Sequence, residues 1–130
     1  MRLVLLSSAV LVSACMTPGN ATQPEEGLWG TPGTVLTLTA AGGMLEEGCA
    51  QTALGPIRTD ANGRFTATGR LTTWGGGPQQ ADVPAEPARP IAVDGRIEGD
   101  RMTLRLTGDG LAPRELTLQR GLRAKVIRCL

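Results

Sequence analysis

The chain carries no histidine, so the side chain that most often serves as general base and metal ligand near neutral pH is missing. Nucleophile systems of the Ser/His or Cys/His kind are therefore excluded, and no serine follows Ser13 in any case. Acid and base work could still fall to two carboxylates, and Glu46-Glu47 is the candidate pair. Adjacent residues on a strand point to opposite faces, so these two do not converge, and exposed charge at a strand end is the expectation. Asp94, Glu98, Asp100 and Asp109 fall on turns or an outward face, too scattered for an oxygen-ligand calcium loop. Gly75-Gly76-Gly77 is followed by no Lys-Ser/Thr and opens no helix, so it reads as a turn and not as a phosphate cradle. The sequence thus predicts no catalytic residue, no metal ligand and no cofactor. Contact chemistry is what remains: Trp74 and Arg89, at the two ends of a long loop, are the candidate anchors, since aromatic and Arg side chains dominate binding energies.

Those residues must be delivered somewhere, and the first fifteen residues are the address. Arg2 supplies a positive start, and Leu3 to Val12 is apolar except for Ser7 and Ser8. Ten such residues cover about 15 Å as a helix, half of a hydrocarbon core of about 30 Å, so the run reads as a signal-peptide core and not as a span. The residues Val12-Ser13-Ala14-Cys15 resemble a bacterial lipobox. That resemblance implies cleavage before Cys15, diacylglycerol on its sulfur and acylation of the freed amine, which together hold a soluble domain on a membrane. Met16 stands where inner-membrane lipoproteins carry Asp, so the same resemblance implies the periplasmic face of the outer membrane as the destination.

Removing 14 of the 130 residues leaves 116, enough for one modest core. Of the 13 Lys and Arg, Arg2 departs with the leader, leaving 12 against 12 Asp and Glu. A neutral, exported chain has no basic surplus with which to release phosphate counterions, which argues against nucleic acid as a partner. With Cys15 lipidated, Cys49 and Cys129 are left in an oxidising compartment and are expected to pair. Closing a loop of about 80 residues would add about 4 kcal/mol on the chain-entropy model.

Residues 15–27 contain Pro18, Gly19 and Pro24 with no apolar periodicity and read as a flexible, lipidated tether. A single β domain is expected over 28–130, because period-two alternation recurs between Gly-rich turns while no window has helical spacing. Thr34 to Thr39 places Leu36 and Leu38 on one face, and Met44 to Leu54 reads as one irregular strand carrying Cys49. Ile57 to Asp60 and Arg64 to Leu71 flank Ala61-Asn62-Gly63, a three-residue hairpin loop with Gly63 at positive φ. Around a two-residue turn at Gly99-Asp100, Ile97 faces Met102, Gly95 faces Leu104 and Val93 faces Leu106. The other face sets Glu98 against Arg101 and Asp94 against Arg105, so register and burial agree. Thr107 to Pro113 reads as a turn region. Leu116 and Leu118 point inward from Glu115 to Gln119, and a turn at Gly121 is expected to set a last strand, Ala124 and Val126, against them. About eight short antiparallel strands in hairpin order must hide their edges, which predicts an all-β, up-and-down barrel, with a β-sandwich as the alternative.

From Gly75 to Pro90 the alternation stops, and Pro78, Pro84, Pro87 and Pro90 mark one long loop of the kind that is often functional. The mature region is similar to a set of small uncharacterised bacterial envelope lipoproteins. Asp60-Ala61-Asn62-Gly63-Arg64-Phe65, Gly76-Gly77-Pro78, Pro87-Ala88-Arg89, Met102-Thr103-Leu104 and Cys129-Leu130 carry the resemblance, which brings no activity with it. The reading is a monomeric, membrane-tethered, non-enzymatic module binding an envelope protein or a small ligand. Its alternative is an inhibitor of an envelope hydrolase such as lysozyme, whose disulfide-closed lipoprotein barrels it resembles in architecture.

Overall fold

The structure, a computed structural model, describes residues 27–73 and 87–127. Cys15, Trp74 and Cys129 lie outside the described residues. Eight strands follow one another: β1 (Gly27–Thr31), β2 (Thr34–Thr39), β3 (Gly42–Glu47), β4 (Ala50–Leu54), β5 (Arg64–Thr73), β6 (Arg89–Glu98), β7 (Arg101–Gly108) and β8 (Leu111–Arg120). Each pairs antiparallel with the next, and β8 returns to β1, so the sheet closes into an up-and-down barrel. Closure satisfies the edges that an open meander would expose.

Alternation decides what fills the barrel. Leu36, Leu45, Met102 and Leu104 are fully buried, with Trp29, Val93 and Leu118 at 1% exposure, while their chain neighbours on the same strands mostly face out. The β6–β7 hairpin has the expected register, including Val93 opposite Leu106 and Glu98 opposite Arg101. Its charges nevertheless choose other partners: Glu98 bonds Arg96 at 3.0 Å on its own strand, and Arg105 bonds Glu115 at 3.3 Å on β8. All four side chains are well exposed, so these pairs contribute little.

Gly95 sits where the Phe65 ring lies across its ladder partner, and any Cβ there would overlap the ring. The aromatic thus fills the volume that the glycine leaves and covers the backbone of β6 from inside the barrel. Gly63 takes φ +76° in the predicted loop. Asp60 fastens that loop, its Oδ1 accepting from the amides of Asn62 at 2.8 Å and Arg64 at 2.9 Å, the hydrogen-bonding habit that favours Asp in turns.

Four expectations need correction. Thr107 to Pro113 is not a turn region, since β7 runs to Gly108 and β8 begins at Leu111, leaving Asp109-Gly110 to reverse the chain. Met44 to Leu54 is two strands, because the chain reverses at Gly48-Cys49, so Cys49 sits on a turn. Ile57 to Asp60 is not a strand but a single bridge at Thr59, since β5 finds its partner in β4 instead. After Gly121 no strand forms within 122–127. The lateral partner of β8 is β1, through Trp29 opposite Arg120 and Gly30 opposite Gln119. The tail instead leaves along the outside of the wall: the Gly121 amide donates to the Leu28 carbonyl at 2.6 Å, and Leu122 lies against Gly30. It then passes Gly48, with the Ile127 carbonyl 3.3 Å from where a Cβ would stand.

Thr52 is wholly buried between its ladder partners Leu45 and Leu71, and its hydroxyl has no hydrogen-bond partner. A buried polar group left unsatisfied costs about 1–3 kcal/mol. Thr52→Val keeps the shape and removes the hydroxyl, so we expect it to raise stability by about 1 kcal/mol. A thermal melt checks this, and an unchanged or lower midpoint would refute it.

Candidate functional site

Up-and-down order puts the β1–β2, β3–β4 and β7–β8 turns at one end of the barrel, together with both ends of the link between β5 and β6. We call this the upper mouth. A cavity of about 300 Å³ opens there, walled by Leu71, Ile91, Leu106 and Leu111 with Ala50 and Ala112. Thr73 adds a hydroxyl, Thr107 completes the rim, and Arg114 adds the one charged side chain among the lining residues. The wall follows from the strand periods. Leu71 and Thr73 share a face of β5, Ile91 continues the inward row of Val93, and Leu106 stands directly opposite Arg114.

Arg114 is not a loose charge. Its Nη1 donates to Glu47 Oε2 at 2.7 Å and its Nη2 to Glu47 Oε1 at 2.9 Å, a two-bond fork joining β8 to β3, 67 residues away in sequence. The Glu47 side chain is 16% exposed and the Arg114 side chain 45%. The bond to Glu47 raises the arginine above its ordinary value; burial works against this, and the carboxylate's charge adds to the rise. A raised folded value means that the arginine's contribution is fully present below the ordinary arginine value and is lost only as pH climbs through the higher folded one.

Forked geometry makes such a pair stronger than an ordinary surface bridge, but the exposure of Arg114 limits it. A double-mutant cycle on Glu47→Gln and Arg114→Met should return a coupling of about 1 kcal/mol that shrinks as salt is added. Zero coupling at low salt would show the fork to be incidental.

At the opposite end Arg120 caps the core. Its guanidinium carbon lies 4.5 Å from the centre of the Trp29 ring, and its Nε is 3.4 Å from Asp100 Oδ1. Trp29 therefore plugs the lower half of the barrel. A second hollow of about 550 Å³ lies outside the wall where β1 ends before β8 does, lined by Thr31, Pro32, Arg101 and Thr117 among others. Its mixed, outward lining is that of a surface seam, whereas the upper cavity has the apolar wall and few polar groups typical of ligand pockets.

Of the residues singled out from sequence, Arg89 is the first residue of β6, opposite Leu71 at the upper mouth, and exposed. It belongs to a strand, as does Pro90, so the long loop ends earlier than Pro90. Cys49 is disulfide-bonded. Glu46 and Glu47 do diverge, but Glu47 turns inward beside Leu45 and is largely buried, not the exposed strand-end charge expected. Its partnership with Arg114 was missed, although parity held a clue: Arg114 shares the face of Leu116 and Leu118, and Glu47 that of Leu45. Among the described residues no group of His, Cys, Asp and Glu could hold a metal ion. No protein-family model, curated protein or solved structure matches this chain.

Proposed function

We propose that the protein is a lipid-anchored, non-enzymatic binding module of the bacterial cell envelope, held at Cys15 and making contact through the upper mouth of its barrel. The observation that carries this is the apolar cavity at the upper mouth, lined by residues of β4 to β8, at the end of the barrel where the Gly- and Pro-rich link joins β5 to β6. A cavity with an aliphatic wall and a neutralised ion pair suits holding a molecule more than transforming one. Cys49 and Cys129 form the staple in this reading. The tail's passage at Gly48, two residues short of Cys129, supports that pairing.

Protein purified from its native envelope tests both halves. Mass spectrometry should find a chain beginning at an acylated Cys15 and a Cys49–Cys129 peptide pair under non-reducing conditions. Small molecules extracted from the same preparation should be depleted in Ala112→Trp, which fills the mouth from an exposed rim position. An uncleaved, unmodified chain would remove the anchor. Identical extracts from both proteins would remove the cavity as the contact site, and a co-purifying envelope hydrolase would favour the inhibitor reading in its place.

A further inference from the structure

We infer that the upper cavity takes an uncharged amphiphile, with an aliphatic body against Leu71, Ile91 and Leu106 and a hydroxyl or amide head at Thr73. This rests on the binding-module reading above and adds the ligand class. Size comes first: about 300 Å³ is twice the roughly 150 Å³ that admits a benzene-sized guest in an apolar core. The space therefore takes a medium-length alkyl chain, and its wall offers that chain only aliphatic contact.

Charge decides the head group. Arg114 is the one cation in the lining, and both of its forked donors are engaged by Glu47. An anionic head would bring a second negative charge to a guanidinium whose charge Glu47 already balances, beside a largely buried carboxylate that would repel it. A cationic head would find no carboxylate among the lining residues, since Glu47 is already committed to Arg114. Among the described residues the Thr73 hydroxyl makes no side-chain hydrogen bond within the protein. Hydroxyls can donate or accept, so they suit a neutral head that does either.

Photolabelling of the full chain in its native membrane tests this with three diazirine-bearing octyl probes: an alcohol, a carboxylate and an amine. Labelling of the peptide spanning 101–111 is normalised to that of the tether, which cancels differences in membrane partition. The alcohol should label it at least tenfold more than either charged probe and should be competed by excess 1-octanol. In Glu47→Gln, which releases Arg114 from its ion pair, the carboxylate should gain about tenfold on the alcohol. Carboxylate labelling equal to the alcohol's in the unaltered protein would overturn the ligand class while leaving the module reading intact. Absence of cavity labelling by all three probes also overturns the class. If native extracts from wild type and Ala112→Trp are then indistinguishable, the binding reading falls with it.

Discussion

Trp29→Ala should destabilise the domain by about 3–5 kcal/mol, the cost typical of emptying an aromatic site in a packed core. Trp29 is 1% exposed and sits on the strand that closes the barrel, paired with Leu36 on one side and Arg120 on the other. Truncation would leave a cavity and also remove the face on which the Arg120 guanidinium stacks, 4.5 Å away. With folding stabilities commonly about 5–15 kcal/mol, that loss would leave the chain marginal at body temperature. Trp29→Phe keeps part of the volume and an aromatic face, so a clearly smaller loss is expected. Urea unfolding of the three proteins decides the matter. A loss under about 1 kcal/mol for the alanine variant would mean that Trp29 is not packed as described.

Loss of the disulfide at Cys49 should cost nearly as much, about 2–5 kcal/mol. The bond starts from the β3–β4 turn, at the upper end of the barrel. Should its partner be Cys129, as we propose, it ties that turn to a tail anchored only lightly elsewhere: by the Gly121 amide on Leu28 and a long 3.4 Å bond from the Leu122 amide to Gln119. Freed from the staple, the tail would gain conformational freedom in both folded and unfolded chains, and the loop of about 80 residues would reopen in the latter. A Cys49→Ala, Cys129→Ala double variant avoids stray thiols. Its melting temperature should fall well below that of the oxidised parent and match that of the parent in reductant. Equal melting temperatures with and without reductant would refute the staple.

Legibility in the sequence tracked the distance between the residues concerned. The β6–β7 hairpin could be read to the exact pair because a two-residue turn, an apolar row and a charged row all lie within one short stretch and agree. The Asp60 to Gly63 loop was readable for the same reason. Met44 to Leu54 was not, since Glu46-Glu47-Gly48-Cys49 lacks strong turn residues apart from one glycine, and the reversal is held by β3 pairing with both β2 and β4. The end of the chain misled in the opposite way. Ala124 and Val126 alternate like a strand and are half-buried as such a pattern suggests, but β1 had already taken the edge of β8.

By itself the sequence determined an all-β chain, its approximate strand count and the absence of histidine chemistry, and favoured a barrel while leaving a β-sandwich open, because alternation, turn residues and composition act between near neighbours or not at all. Only the tertiary structure decided that β1 seals the barrel against β8, that Glu47 turns inward to grip Arg114, and that Arg120 stacks on Trp29. Each of these joins side chains far apart along the chain, and their meeting depends on how the sheet curls and staggers as it closes, a property of the whole barrel that no local pattern encodes.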